Sequence, residues 1–76
     1  MKAYVLIKIR AGNVKEVVCR LHETPHILEA SMTFGTYDAI AVVEADDLGG
    51  LGKLIACSIQ PMPGVEQTLT CLAVEV

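Results

Sequence analysis

Shifted by 38 residues, the chain lies over itself. Val5 meets Val43, Lys15 meets Lys53, Val17 meets Ile55, Leu21 meets Ile59, Pro25 meets Pro63 and Ile27 meets Val65. A βαβ unit needs about 30 residues or more, so a repeat of this length in a chain of 76 residues describes two such units. Residues 3 to 10 alternate as a strand, with Ala3, Val5, Ile7 and Ile9 on one side and Tyr4, Leu6, Lys8 and Arg10 on the other. Asn13, with Glu16 three residues on, has the form of a capping box. Val14, Val17, Val18 and Leu21 then give one apolar helical stripe that stops before Pro25.

The remaining elements follow the same logic. Residues 27 to 34 and 39 to 45 read as two strands joined by Gly35-Thr36-Tyr37-Asp38. Asp46 or Asp47 can cap a second helix whose stripe is Leu48, Leu51, Ile55 and Ile59. Gly49, Gly50 and Gly52 weaken that helix by roughly 1 kcal/mol each relative to alanine. Pro61 to Gly64 end it, and residues 65 to 76 form a fourth strand. Two right-handed βαβ units interleaved through a central hairpin predict an α+β, ferredoxin-like βαββαβ fold: a four-stranded antiparallel sheet with two helices on one face.

The sheet's other face should be polar if it meets water. It is not: Ile40, Val42 and Glu44 oppose Ala39, Ala41 and Val43, and Leu69, Cys71 and Ala73 oppose Leu72, Val74 and Val76, so both faces carry apolar side chains. Hydrophobic residues make up 53% of the chain, and only Tyr4, Phe34 and Tyr37 are aromatic. So small a domain cannot hide that much aliphatic surface alone, and a sheet-to-sheet homodimer, a dimeric α+β barrel, is the expected remedy.

Charge and cysteines narrow the setting. The net charge is −3, and the six Lys and Arg residues form no run, which argues against direct binding of nucleic acid. No apolar stretch is long enough to span a bilayer. Three cysteines without a CxxC, and no leader-like segment after Met1, predict a cytoplasmic, reduced, soluble protein. Cys19, His22 and His26 have a spacing that could suit a metal, but Pro25 breaks the helical face they would share, so no metal and no cofactor is expected. Cys57 and Cys71 read as small core residues.

The Gly35 to Asp38 loop admits two readings from its residues. In one, Gly35 supplies a positive φ, Asp38 bonds a backbone amide and Tyr37 covers the end of the core. In the other, amides near Gly35 and Thr36 hold a ligand carboxylate, Asp38 holds its ammonium, and the hydroxyls of Thr68 or Thr70 complete the site. No nucleophile is set beside a base, and Asp46 and Asp47 are explained by a helix start, so an enzyme is not expected. A small dimeric α+β barrel isomerase or monooxygenase is the rival class, and a ligand-free structural assembly module is a third.

Three segments, AYVLIKIRAGNVKEVVCRL, MTFGTYDAIAVVEADDL and PGVEQTLTCLAVE, resemble the RAM domain, the effector-binding C-terminal half of Lrp/AsnC (feast/famine) transcriptional regulators. The likeness covers nearly the whole chain. Its most specific part is Gly35-x-Tyr37-Asp38, followed by Pro63-Gly64-Val65 with Thr68 and Thr70. The resemblance implies a free amino acid bound at interfaces between dimers in a ring, with a ligand-binding set of Gly35, Thr36, Tyr37, Asp38, Thr68 and Thr70. Because the first strand starts within three residues of Met1, residues 1 to 76 are expected to be a single stand-alone domain without the helix-turn-helix half. It would act on transcription or amino-acid metabolism through partners, a full-length Lrp/AsnC paralogue among them. Pro25-His26-Ile27, in place of a second Pro-Gly-Val, and the glycines at 49 and 50 depart from the pattern.

Overall fold

The computed structural model describes residues 1–76. Its elements are β1 (Lys2–Ile9), α1 (Val14–Glu23), β2 (Ile27–Met32), β3 (Ala39–Glu44), α2 (Leu48–Leu54) running into a π-helical turn (Ile55–Ile59), and β4 (Val65–Leu72). The sheet order is β2-β3-β1-β4, antiparallel throughout. This is the four-stranded, two-helix arrangement the repeat predicts, with β2 and β4 two residues and four residues shorter than expected.

The halves are equivalent where their helices turn into the following strands. His26 and Gly64, 38 residues apart, both have positive φ, +72° and +98°. Just beyond them Leu28 and Glu66, again 38 apart, are the extra residues of two matching β-bulges. The turns before the bulges share their bonds: Thr24 N–H to Leu21 O and Met62 N–H to Ile59 O, Ile27 N–H to Thr24 O and Val65 N–H to Met62 O. His26 therefore occupies the left-handed position that its counterpart fills with glycine.

The first strands of the two halves obey a different offset. Ile27 pairs with Val43 and Val65 pairs with Ile9, so Val43 is matched by Ile9, 34 residues away, and not by Val5. The second half carries four more residues between its first strand and the end of its helix. Those residues lengthen α2 and its π turn, where Gln60 N–H reaches back to Ile55 O at 2.9 Å. Leu51, Ile55 and Ile59 are buried at steps of four. A step of four overshoots an α-turn by about 40°, and the wider π turn takes that drift back and keeps Ile59 under the sheet.

Between helices and sheet lies one core. Ala3, Val5, Ile7 and Ile9 of β1, Ala39, Ala41 and Val43 of β3, and Ala30 of β2 meet Val17 and Leu21 of α1 and Leu51, Ile55 and Ile59 beyond β3. Leu48, expected in that stripe, is exposed. Asp47 is the cap residue, its Oδ1 accepting from Gly50 N–H at 2.7 Å, a bond of about 1 kcal/mol. The capping box at α1 does not form. Asn13 has near-helical backbone angles and makes no side-chain cap; its Oδ1 instead accepts from Arg10 Nε at 3.1 Å, while Glu16 lies 3.4 Å from Arg20.

On the open face, the register aligns Tyr4 with Val42 and Cys71, and Leu6 with Ile40 and Leu69. The six side chains form a largely apolar band at the middle of the sheet, in which Tyr4, Leu69 and Cys71 are exposed, Leu6 and Ile40 are half-buried and Val42 is buried. All three cysteines are exposed, which corrects the core assignment of Cys57 and Cys71. No helix is long and apolar enough to cross a membrane.

Candidate functional site

The β2–β3 connection is held by five bonds. Thr33 N–H donates to Asp38 O at 2.9 Å and Asp38 N–H to Ile7 O at 2.9 Å, which extends the sheet one step beyond β3. Thr33 Oγ1 donates to Tyr37 O at 2.9 Å. Ile9 N–H donates to Asp38 Oδ2 at 2.8 Å. Lys8 Nζ donates to Thr36 O at 3.0 Å.

Asp38 thus does part of what a turn residue does. Beyond Ala39, β3 offers β1 no further backbone acceptor, and one carboxylate oxygen of Asp38 takes the amide that would be orphaned. Its Oδ1 makes no bond within the chain. Gly35 has φ +128°, and a Cβ added there would meet nothing within 4 Å. Backbone conformation, not crowding, is what calls for glycine at this point.

The amides of Phe34, Gly35, Thr36 and Tyr37 have no acceptor within the chain. Four consecutive amides without an acceptor and one carboxylate oxygen without a donor thus fall within five residues of the chain. Phe34 at the tip is fully exposed, while Tyr37 is half-buried.

Thr68 and Thr70 stand apart from this loop. They face Ile7 and Val5 on the helix side of edge strand β4. Ile7 separates Thr68 from Ala39, so the two lie about two strand spacings, near 10 Å, apart. Thr68 Oγ1 accepts from Gln60 Nε2 at 3.1 Å. In the first half the equivalent pair is His22 and Ala30, where Nε2 donates to the carbonyl at 2.7 Å. Thr70 makes no side-chain bond and is exposed. Within one copy, then, Gly35, Thr36, Tyr37 and Asp38 are together and the threonines are not with them.

A cleft of about 340 Å³ lies at the other end of the β2–β3 hairpin, lined by His26, Leu28, Glu44, Ala45, Asp46, Asp47, Gly50 and Leu54. The sequence reading placed no ligand site there; of its two cap candidates, Asp46 and Asp47, Asp47 serves as the cap of α2. Cys19, His22 and His26 do not converge, and no three His, Cys, Asp or Glu side chains are placed to hold a metal ion.

Comparison with known proteins gives this geometry its relatives. The HTH-type transcriptional regulator FL11 of Pyrococcus horikoshii is 32% identical over 75 residues, 99% of this chain and 49% of the relative. The chain spans about half the length of the curated relatives it matches. The crystal structure of FFRP-DM1 superposes with a TM-score of 0.91 at 36% identity, covering 96% of this chain and 97% of that one. A transcriptional regulator of Neisseria meningitidis, NMB0573, solved as a complex with L-Met, shares the fold at a TM-score of 0.87 and 16% identity over 97% of this chain and 49% of that one. The curated relatives are named as HTH-type transcriptional regulators. The family model described as the Lrp/AsnC ligand binding domain matches residues 2–76, and the chain belongs to that family.

Proposed function

We propose that this domain binds a free amino acid and assembles with copies of itself, as an effector-sensing module of Lrp/AsnC type. One observation carries the reading: the four unpaired amides of residues 34 to 37 next to the free oxygen of Asp38. An α-amino acid presents one carboxylate and one ammonium on adjacent carbons, and these groups suit donors and an acceptor that are neighbours in a loop.

Copies stack through the open faces, with the Tyr4, Leu6, Ile40, Val42, Leu69 and Cys71 band in the middle of the contact. Pairs of dimers then bring a Thr68–Thr70 edge strand against a Gly35–Asp38 loop, which is how the six residues come to share one ligand. In this reading residues 1 to 76 form a regulatory domain that acts through its own oligomer or through a full-length Lrp/AsnC paralogue. DNA contact is not part of its action, since the net charge is −3.

A thermal-shift panel of the twenty amino acids tests the proposal. At 100 times its dissociation constant an effector adds roughly 2.7 kcal/mol, which for a domain of this size raises Tm by about 10 to 20 °C. L-Met is the natural first probe. A flat panel at millimolar concentrations refutes the binding role and leaves an assembly module.

A further inference from the structure

Lys8 is the one cation that touches the candidate loop. It sits next to the β1 residue whose amide Asp38 receives, so the same short piece of β1 holds the loop by a cation on one side and by an amide on the other. No cis peptide bond occurs in the chain, so Tyr37 N–H points opposite to Thr36 C=O across one planar unit. Lys8 donates to that carbonyl, and Tyr37 N–H is one of the four amides without an acceptor.

Resting on the amino-acid reading above, we propose that Lys8 is a positioning residue for the ligand carboxylate and acts through the Thr36–Tyr37 peptide. An ammonium on the carbonyl fixes the plane of the peptide and polarises it, so that the amide on its far side becomes a stronger and better aimed donor. A carboxylate accepting from Tyr37 N–H would sit about 8 Å from Nζ, given ordinary peptide and hydrogen-bond lengths. Unit charges at that distance, partly screened by solvent, change binding roughly fivefold. The effect requires a negative charge on the ligand. A neutral carboxamide in the same position keeps the hydrogen bond and loses most of the charge contribution.

Calorimetry with L-methionine and L-methioninamide, on wild type, Lys8→Met and Lys8→Arg, reads this directly. Lys8→Met should weaken L-methionine roughly fivefold and leave the amide within about twofold, and Lys8→Arg should restore most of the loss. High salt should shrink the gap between wild type and Lys8→Met for the acid only. Equal losses for acid and amide, or no loss for either, overturn the role of Lys8 while leaving amino-acid binding intact. Failure of the wild type to bind L-methionine, with every other amino acid of the panel also inert, overturns both.

Discussion

Leu69→Glu separates folding from assembly. Leu69 lies on the open face, paired with Leu6 of β1, and is 46% exposed in the single chain. A carboxylate there can stay in water as long as the face is free, so the fold should lose no more than about 1 kcal/mol, from altered strand preference and one apolar contact. In the proposed stacked dimer the same side chain would be closed in. Covering the remaining half of Leu69 is worth about 1 kcal/mol per copy, and an unpaired charge in its place costs at least about 3 kcal/mol. An isologous contact contains the substitution twice, so the dimer should weaken by about 6 kcal/mol or more, four orders of magnitude in Kd. Lys15→Gln, an exposed site on α1 on the opposite side of the sheet, changes net charge by the same one unit and should leave assembly alone. Sedimentation equilibrium reports the association and circular dichroism the fold. A Leu69→Glu protein as associated as wild type, or a wild type that is monomeric at micromolar concentration, would refute the covered-face argument.

Two further substitutions probe the loop and the repeat. Asp38→Ala orphans the part-buried Ile9 amide and should lower stability by about 1 to 3 kcal/mol, whereas Asp38→Asn keeps an acceptor there and should fold nearly as well. If Asp38 holds the ligand ammonium, Asp38→Asn still loses about 2 to 5 kcal/mol of affinity by calorimetry; unchanged affinity would leave Asp38 as a structural residue only. Gly64→Ala puts a Cβ 2.6 Å from that of Asn13 at φ +98°, and should lower the urea-derived stability by about 2 to 4 kcal/mol. A loss under about 1 kcal/mol would refute both the backbone strain and the crowding against Asn13.

What the sequence determined by itself was the order of elements, the repeat, the core stripe of β1 and the apolar character of the open face. These are period-2 and period-3.6 patterns, set by local geometry and by which side chains avoid water, and they survive without knowledge of the neighbours. The Gly35–Asp38 turn was legible for the same reason, because glycine and aspartate mark a backbone that must leave the strand. Tertiary structure decided what depends on partners distant in the chain. Asn13 looks like a cap in sequence, yet its backbone angles and its bond to Arg10 prevent it. Asp38 serves Ile9, 29 residues away, and Lys8 serves Thr36, 28 residues away. The 38-residue overlay holds for the second strands and fails for the first, because the four extra residues of the second half enter its helix, where a π turn absorbs them without disturbing the burial of Ile55 and Ile59. Thr68 and Thr70 carry the right hydroxyls, but their distance from the loop is set by the strand order, which puts β1 between β3 and β4.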